Sequence, residues 1–222
     1  LIAAAGVPVA APSANLSGRP SPTTARHVWQ DLKGLVELIL DGGPAGVGLE
    51  STVLDLTGRV PVILRPGGIT REELEKVIGE VRVDPGIGGV TGHSFTGDFR
   101  PRSPGMKYRH YAPRAPLVLV EGEPERVVAR VKELAGDYQS RGWRVGILAT
   151  AETAGEYTEG RVVVAGPRQD HAGIASRLFA ALRRFDELGV DIILAEGIEP
   201  RGLGLAVMNR LRRAAGGRIE RV

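Results

Sequence analysis

A chain of 222 residues, 42% apolar and 25% charged, fits one large or two modest globular domains, and no apolar run approaches the roughly 18 residues of a membrane span. The absence of cysteine excludes disulfides, cysteine nucleophiles and cysteine-ligated zinc, and suits a reducing, cytoplasmic setting. A net charge of +3 is too small to argue for nucleic-acid binding, although the basic side chains are mostly arginine, the residue suited to two-pronged phosphate contacts.

The opening Leu1-Ile2-Ala3-Ala4-Ala5-Gly6 reads as the last turn of a helix stopped by Gly6, not as a secretory leader, so the protein is expected to be N-terminally incomplete. Val7 to Ala11 has the length and apolarity of a buried strand, and the loop Pro12-Ser13-Ala14-Asn15-Leu16-Ser17-Gly18 follows it. Ser21-Pro22 predicts an N-cap with proline at the first helical position, opening a helix to about Lys33. Val36 to Leu40 predicts a further strand, broken by Asp41-Gly42-Gly43-Pro44. Ser51 to Leu56 and Val60 to Leu64 predict a hairpin around Thr57-Gly58-Arg59. Thr70-Arg71-Glu72-Glu73 matches a capping box at the start of a helix reaching about Ile78.

From Asp84 to Pro116 glycine and proline crowd the sequence without apolar periodicity, so this stretch is either a disordered linker or is ordered by lying on a domain. Within it, residues 103–113 read SPGMKYRHYAP. A spacer needs only polar flexibility, whereas this strap sets aromatic and cationic side chains between prolines, a composition suited to covering a nucleotide. Beyond it, strands near Leu117–Val120, Val145–Ala149, Val162–Ala165 and Ile192–Ala195 alternate with helices near Glu125–Ser140, Asp170–Leu188 and Leu203–Ala215. That alternation implies a parallel sheet covered on both faces, a small Rossmann-like domain, without a dinucleotide fingerprint after its first strand. The expected division is residues 1–84, a strap over 85–116, and residues 117–222.

His27, His93, His110 and His171 share no i, i+4 spacing and no Gly-x-Ser-x-Gly elbow occurs, so neither a metal site nor a hydrolase triad is predicted. The loop 12–18 leaves a strand end and feeds a helix N-terminus, the usual anion-binding position in α/β folds. Ser13, Asn15 and Ser21 are there either as donors to phosphate oxygens or as the caps of an ordinary turn. Arg65 ends a strand and is locked by Pro66-Gly67-Gly68; it suits a two-pronged grip on phosphate or a surface salt bridge. A third feature is the set Arg201, Arg210, Arg212, Arg213, Arg218 and Arg221, which reads as a solvated helix face or as the footprint of an RNA-binding module without catalysis of its own.

The ordered set PSANLSG, ESTV, ILRPGGIT, SPGMKYRHYAP and GLGLAVMNRLRRAA closely resembles the two-domain form of the YrdC-like threonylcarbamoyl-AMP synthases, over essentially the whole chain. The resemblance implies the C-terminal part of a YrdC-like twisted mixed α/β domain, an interdomain strap and a Rossmann-like domain. It implies a reaction joining L-threonine, bicarbonate and ATP into threonylcarbamoyl-adenylate with release of pyrophosphate, with Mg2+ on the phosphates. A downstream complex then transfers the threonylcarbamoyl group to adenosine 37 of tRNA. By motif, Ser13, Asn15, Ser21, Arg65 and Tyr108 are expected at ATP, and Ala11, Ser51 and Thr52 at L-threonine. The family's early basic residues would precede Leu1, so this chain alone is expected to be inactive. YrdC-like domains also occur in hydrogenase-maturing carbamoyltransferases, but those carry cysteine-rich zinc segments and this sequence has no cysteine.

Overall fold

The computed structural model describes residues 1–87 and 111–222. In the first block, the short helix α1 (Ile2–Ala5) ends at Gly6, whose φ of 65° is the left-handed conformation that closes the turn. Helix α2 (Ala25–Leu32) is capped by Thr24, which accepts a hydrogen bond from the His27 N–H. Ser21 is therefore not the N-cap, and the helix starts later than Ser21-Pro22 suggested. The hairpin is present as β1 (Val53–Asp55) antiparallel to β2 (Val62–Arg65), with β3 (Arg82–Val83) added in parallel to β2. Between them α3 (Arg71–Ile78) begins at the predicted capping box of Thr70 and Glu73.

No strand forms over residues 7–11 or 36–40. Val7, Val9, Leu38 and Leu40 are all exposed. A strand requires a partner for its backbone N–H and C=O groups, and no described strand pairs with either run, so apolar sequence alone does not produce one.

The second block is a five-stranded parallel sheet in the order β6-β5-β7-β4-β8. Its strands are β4 (Leu117–Glu121), β5 (Val145–Thr150), β6 (Arg161–Gly166), β7 (Ile192–Glu196) and β8 (Ile219–Arg221). Helix α4 (Pro124–Ser140) buries Val127, Val131 and Leu134 on one face; α5 (His171–Leu188) and α6 (Leu203–Ala215) cover the other with Leu178, Phe179, Leu182, Val207 and Leu211. Both faces of β4, β5 and β7 are thereby buried, which is why those strands read as continuous apolar runs. β8 escaped the sequence reading because Ile-Glu-Arg is short and mixed. No described helix is long and apolar enough to cross a membrane.

Helices α5 and α6 also face the first block. Gly48 (φ +73°) packs against α5 so closely that an added Cβ would lie 2.5 Å from Ser176 Cα, while Leu205 of α6 packs on the Ile63, Val81 and Ile87 cluster. Polar contacts fasten the two blocks as well. Arg183 of α5 donates to both carboxylate oxygens of Asp31 (3.1 and 2.6 Å) and to the Pro20 carbonyl (2.6 Å), and Arg19 adds a bond to Asp31 Oδ1 at 2.9 Å. The Asp31 side chain is fully buried. Burial alone would raise its carboxyl, but the bonds from Arg183 and Arg19 outweigh it and hold the group below its ordinary value. The foot of the strap joins the two blocks as well: Ala112 N–H donates to Gly18 O (3.0 Å), and buried Tyr111 stacks on Phe179 at 5.4 Å. This part of the 85–116 stretch is ordered by lying on its neighbours.

Candidate active site

The segment Glu50-Ser51-Thr52 enters β1 beneath the turn that leaves β2, and the two are locked together. At Gly67 a Cβ would collide with the backbone of Glu50, Ser51 and Thr52, so the Arg-Pro-Gly-Gly turn rests directly on this segment and glycine is required there for space. The Thr52 hydroxyl donates to the Ile69 carbonyl (2.5 Å) and accepts from the Ile69 N–H (3.2 Å). Thr52 thus holds the turn, with its hydroxyl committed to the backbone.

Arg65 sits where β2 ends. Its Nε and Nη2 both donate to the Ser51 carbonyl, at 3.1 and 3.0 Å, and Nη2 lies 3.4 Å from Ser51 Oγ. Among the described residues the guanidinium makes no salt bridge, one of the two readings open from sequence. It orients the Ser51 segment and keeps its charge uncompensated by any carboxylate among the described residues, the state a phosphate-binding arginine needs.

Ser21 donates to Glu50 Oε1 at 2.5 Å, and Glu50 Oε2 accepts from Arg210 Nε at 2.9 Å. Ser13, Ser21, Val47, Leu49 and Glu50 share a cavity of about 410 Å³ with Phe179 of α5. The Ser21 proton is therefore committed to Glu50, which leaves its oxygen as an acceptor and not the free donor expected from the sequence. Asn15 is committed too: its amide donates to the carbonyls of Leu16 (2.9 Å) and Arg19 (3.3 Å), and its buried Oδ1 has no hydrogen-bond partner among the described residues. It shapes the 12–20 loop from within. Ser13 is exposed on that loop, and Ala11 is exposed just before it. Tyr108 lies outside the described residues, as do Lys107, Arg109, His93 and His110.

The structure thus links Ser21 to Glu50 and Arg65 to Ser51, with Glu50 and Ser51 neighbours in sequence, and among the described residues it shows no hydrogen bond from any of them to Ala11. Neither described histidine joins the cluster. His27 Nδ1 accepts from the Thr23 N–H, and burial lowers its imidazole below the usual range; His171 Nδ1 contacts the Arg201 carbonyl in the second block. With hydroxyls, an arginine and backbone groups but no activated nucleophile, the cluster can position reactants and steady charge on phosphoryl oxygens.

Glu50, Asp31, Arg183 and Arg210 escaped the sequence reading as parts of this arrangement. A signal existed, because Arg210 is spaced four residues from each of Ala206 and Ala214, both buried. An arginine on the apolar stripe of a helix requires a partner across the interface. Its neighbour Arg212 is taken by Glu121 at 2.7 and 2.9 Å. The C-terminal arginines are therefore not one free basic patch.

Residues 69–216 match the family described as threonylcarbamoyl-AMP synthase, C-terminal domain, and residues 1–67 match one described as telomere recombination. The chain is 52% identical over 221 residues to a threonylcarbamoyl-AMP synthase of Bacillus subtilis, covering 100% of this chain and 61% of that protein. It is 49% identical over 215 residues to the enzyme of that name from Pyrococcus abyssi, covering 97% of this chain and 60% of the relative. A crystal structure of P. abyssi Sua5 complexed with L-threonine superposes with a TM-score of 0.88 at 48% identity, covering 100% of this chain and 62% of that one. The chain spans about three fifths of the length of these relatives. Matched along its whole length in sequence and in fold, it belongs to the threonylcarbamoyl-AMP synthase family.

Proposed function

We propose that this chain forms part of an L-threonylcarbamoyladenylate synthase, which condenses the L-threonine amine with bicarbonate to a carbamate, losing water, and joins it to the AMP of ATP with release of pyrophosphate. The observation that carries this reading is the junction of Ser51 and Arg65, a hydroxyl and a guanidinium without a carboxylate partner among the described residues, fixed against each other at the ends of β1 and β2. A relative of the same fold and 48% identity was crystallised with L-threonine, which supports L-threonine as a ligand of the intact protein.

In this reading Ser51 borders the threonine together with Ala11, Thr52 keeps the segment in place, and Arg65 contacts nucleotide phosphate. Ser13 and Ser21 line the nucleotide side, with Asn15 shaping the loop and Tyr108 of the strap reaching over the nucleotide. Attack of the threonine carbamate oxygen on the α-phosphorus of ATP forms one P–O bond and breaks another, with pyrophosphate leaving. No protein nucleophile is needed, and negative charge grows on the phosphoryl oxygens that Arg65 faces. Mg2+ would accompany ATP, as the family resemblance implies, and would help neutralise charge on its phosphates. The product would go to a cytoplasmic complex acting on tRNA, with residues 1–84 contributing to the reaction, 85–116 as strap and 117–222 as supporting domain.

Calorimetric titration of the intact gene product with L-threonine tests the assignment of Ser51. Ser51→Ala is expected to weaken threonine binding about three- to tenfold, the net worth of a hydrogen bond, without lowering the thermal midpoint. Equal affinity in the variant would remove Ser51 from the site.

A further inference from the structure

Arg210 is the largest fully buried side chain of the molecule's described residues, with 0% exposure, and most of its contacts lie outside its own block. Its Nε donates to Glu50 Oε2 at 2.9 Å, and Nη1 donates to the Pro66 carbonyl at 2.8 Å and to Asn209 Oδ1 at 3.0 Å. The guanidinium carbon lies 5.2 Å from the centroid of the Tyr111 ring, close enough for cation–π attraction. One arginine on α6 therefore touches the residue before Ser51, the residue after Arg65, and the foot of the strap.

We propose that Arg210 is a positioning residue for the substrate site, holding the Glu50-Ser51 segment and the Arg65-Pro66 turn in fixed register through its planar fork. The proposal rests on the reading of Ser51 and Arg65 as substrate-facing. Stability alone is a poor account of this arginine. Buried ion pairs add little net stability over apolar packing of the same volume, and this one leaves a buried nitrogen, Nη2, without a hydrogen bond among the described residues. What the fork supplies is geometry: two donors in one rigid plane tie a carboxylate and a carbonyl from separate turns at a set distance, which a hydrocarbon side chain cannot do. Glu50 passes that constraint to Ser21 through its other oxygen. Through Arg210, α6 of the second block thus reaches both turns of the site in the first.

The test compares Arg210→Met and Arg210→Lys with Arg212→Met in the intact gene product, reading threonine affinity, kcat, KM and thermal midpoint. Arg212 is the internal control: it is the next arginine on α6 and its side chain is 11% exposed, but its partner Glu121 lies within the second block. Arg210→Met and Arg210→Lys are each expected to weaken threonine binding about tenfold and to lower kcat by up to about 100-fold, the scale of a misplaced reacting group. Arg212→Met is expected to lower the midpoint with affinity and kcat unchanged. Should Arg210→Met fail to fold, Glu50→Gln, which keeps the shape and weakens the pairing, is expected to reduce threonine affinity severalfold with a near-normal midpoint. Wild-type affinity and kcat in both Arg210→Lys and Glu50→Gln would overturn the proposal. An unmodified protein that binds no threonine would instead refute the functional reading beneath it.

Discussion

Asparagine in place of Asp31 is expected to destabilise the protein by about 3–5 kcal/mol, because it leaves Arg183 buried without a counter-charge. Asp31 is 0% exposed at its side chain and Arg183 is 7% exposed, so water cannot replace the lost partner. The damage should concentrate at the contact between α2 and α5, where Arg183 also holds the Pro20 carbonyl. A pH dependence follows from the same geometry. The Asp31 carboxyl is held below its ordinary value of 3.8 in the folded state, so its contribution is complete above that pH and is lost as pH falls through the lower folded value. Chemical denaturation of wild type and Asp31→Asn at pH 7 and at successively lower pH checks both points. The difference between them should be full at pH 7 and shrink in acid; an unchanged midpoint at pH 7 would show that the pair does not hold the blocks together.

Alanine at Arg65 is expected to weaken ATP binding about ten- to a hundredfold, the worth of a lost hydrogen bond to a charged group. Threonine binding should fall by less, and through a different route: the Ser51 carbonyl loses both of its bonds from Arg65. Lysine keeps the charge without the fork, so Arg65→Lys should recover part of the ATP affinity and little of the threonine affinity. Calorimetry with each ligand separates the two effects, and wild-type ATP affinity in Arg65→Ala would remove it from the nucleotide site.

Local chemistry was what the sequence displayed most clearly. The capping box at Thr70 and Glu73, the hairpin over β1 and β2, and the parallel block from β4 to β7 all follow from contacts between near neighbours or from uninterrupted apolar runs, and all are present. The runs at 7–11 and 36–40 carry the same apolar signal but have no described strand to pair with. Apolarity reports a preference for burial, not the presence of a partner. The site shows the same division. Arg65 was legible as a candidate because a strand end followed by a Pro-Gly turn is a local feature, and Ser51 as a member of the ESTV motif. Asn15, Ser21 and Thr52 were legible as members of the motifs, but their hydroxyls and amide turn out to be committed to Leu16, Glu50 and Ile69. Which donor remains free is set by tertiary contacts. Arg183 and Arg210 stood among many arginines, and only the pairing of α5 and α6 with the first block distinguishes them.

The most direct measurement of the central claim is product formation by the intact gene product supplied with labelled bicarbonate, L-threonine and ATP. The expected result is a labelled threonylcarbamoyl-adenylate formed one for one with pyrophosphate, and only when threonine is present. Pyrophosphate release that does not depend on threonine, or no labelled adenylate at all, would contradict the account.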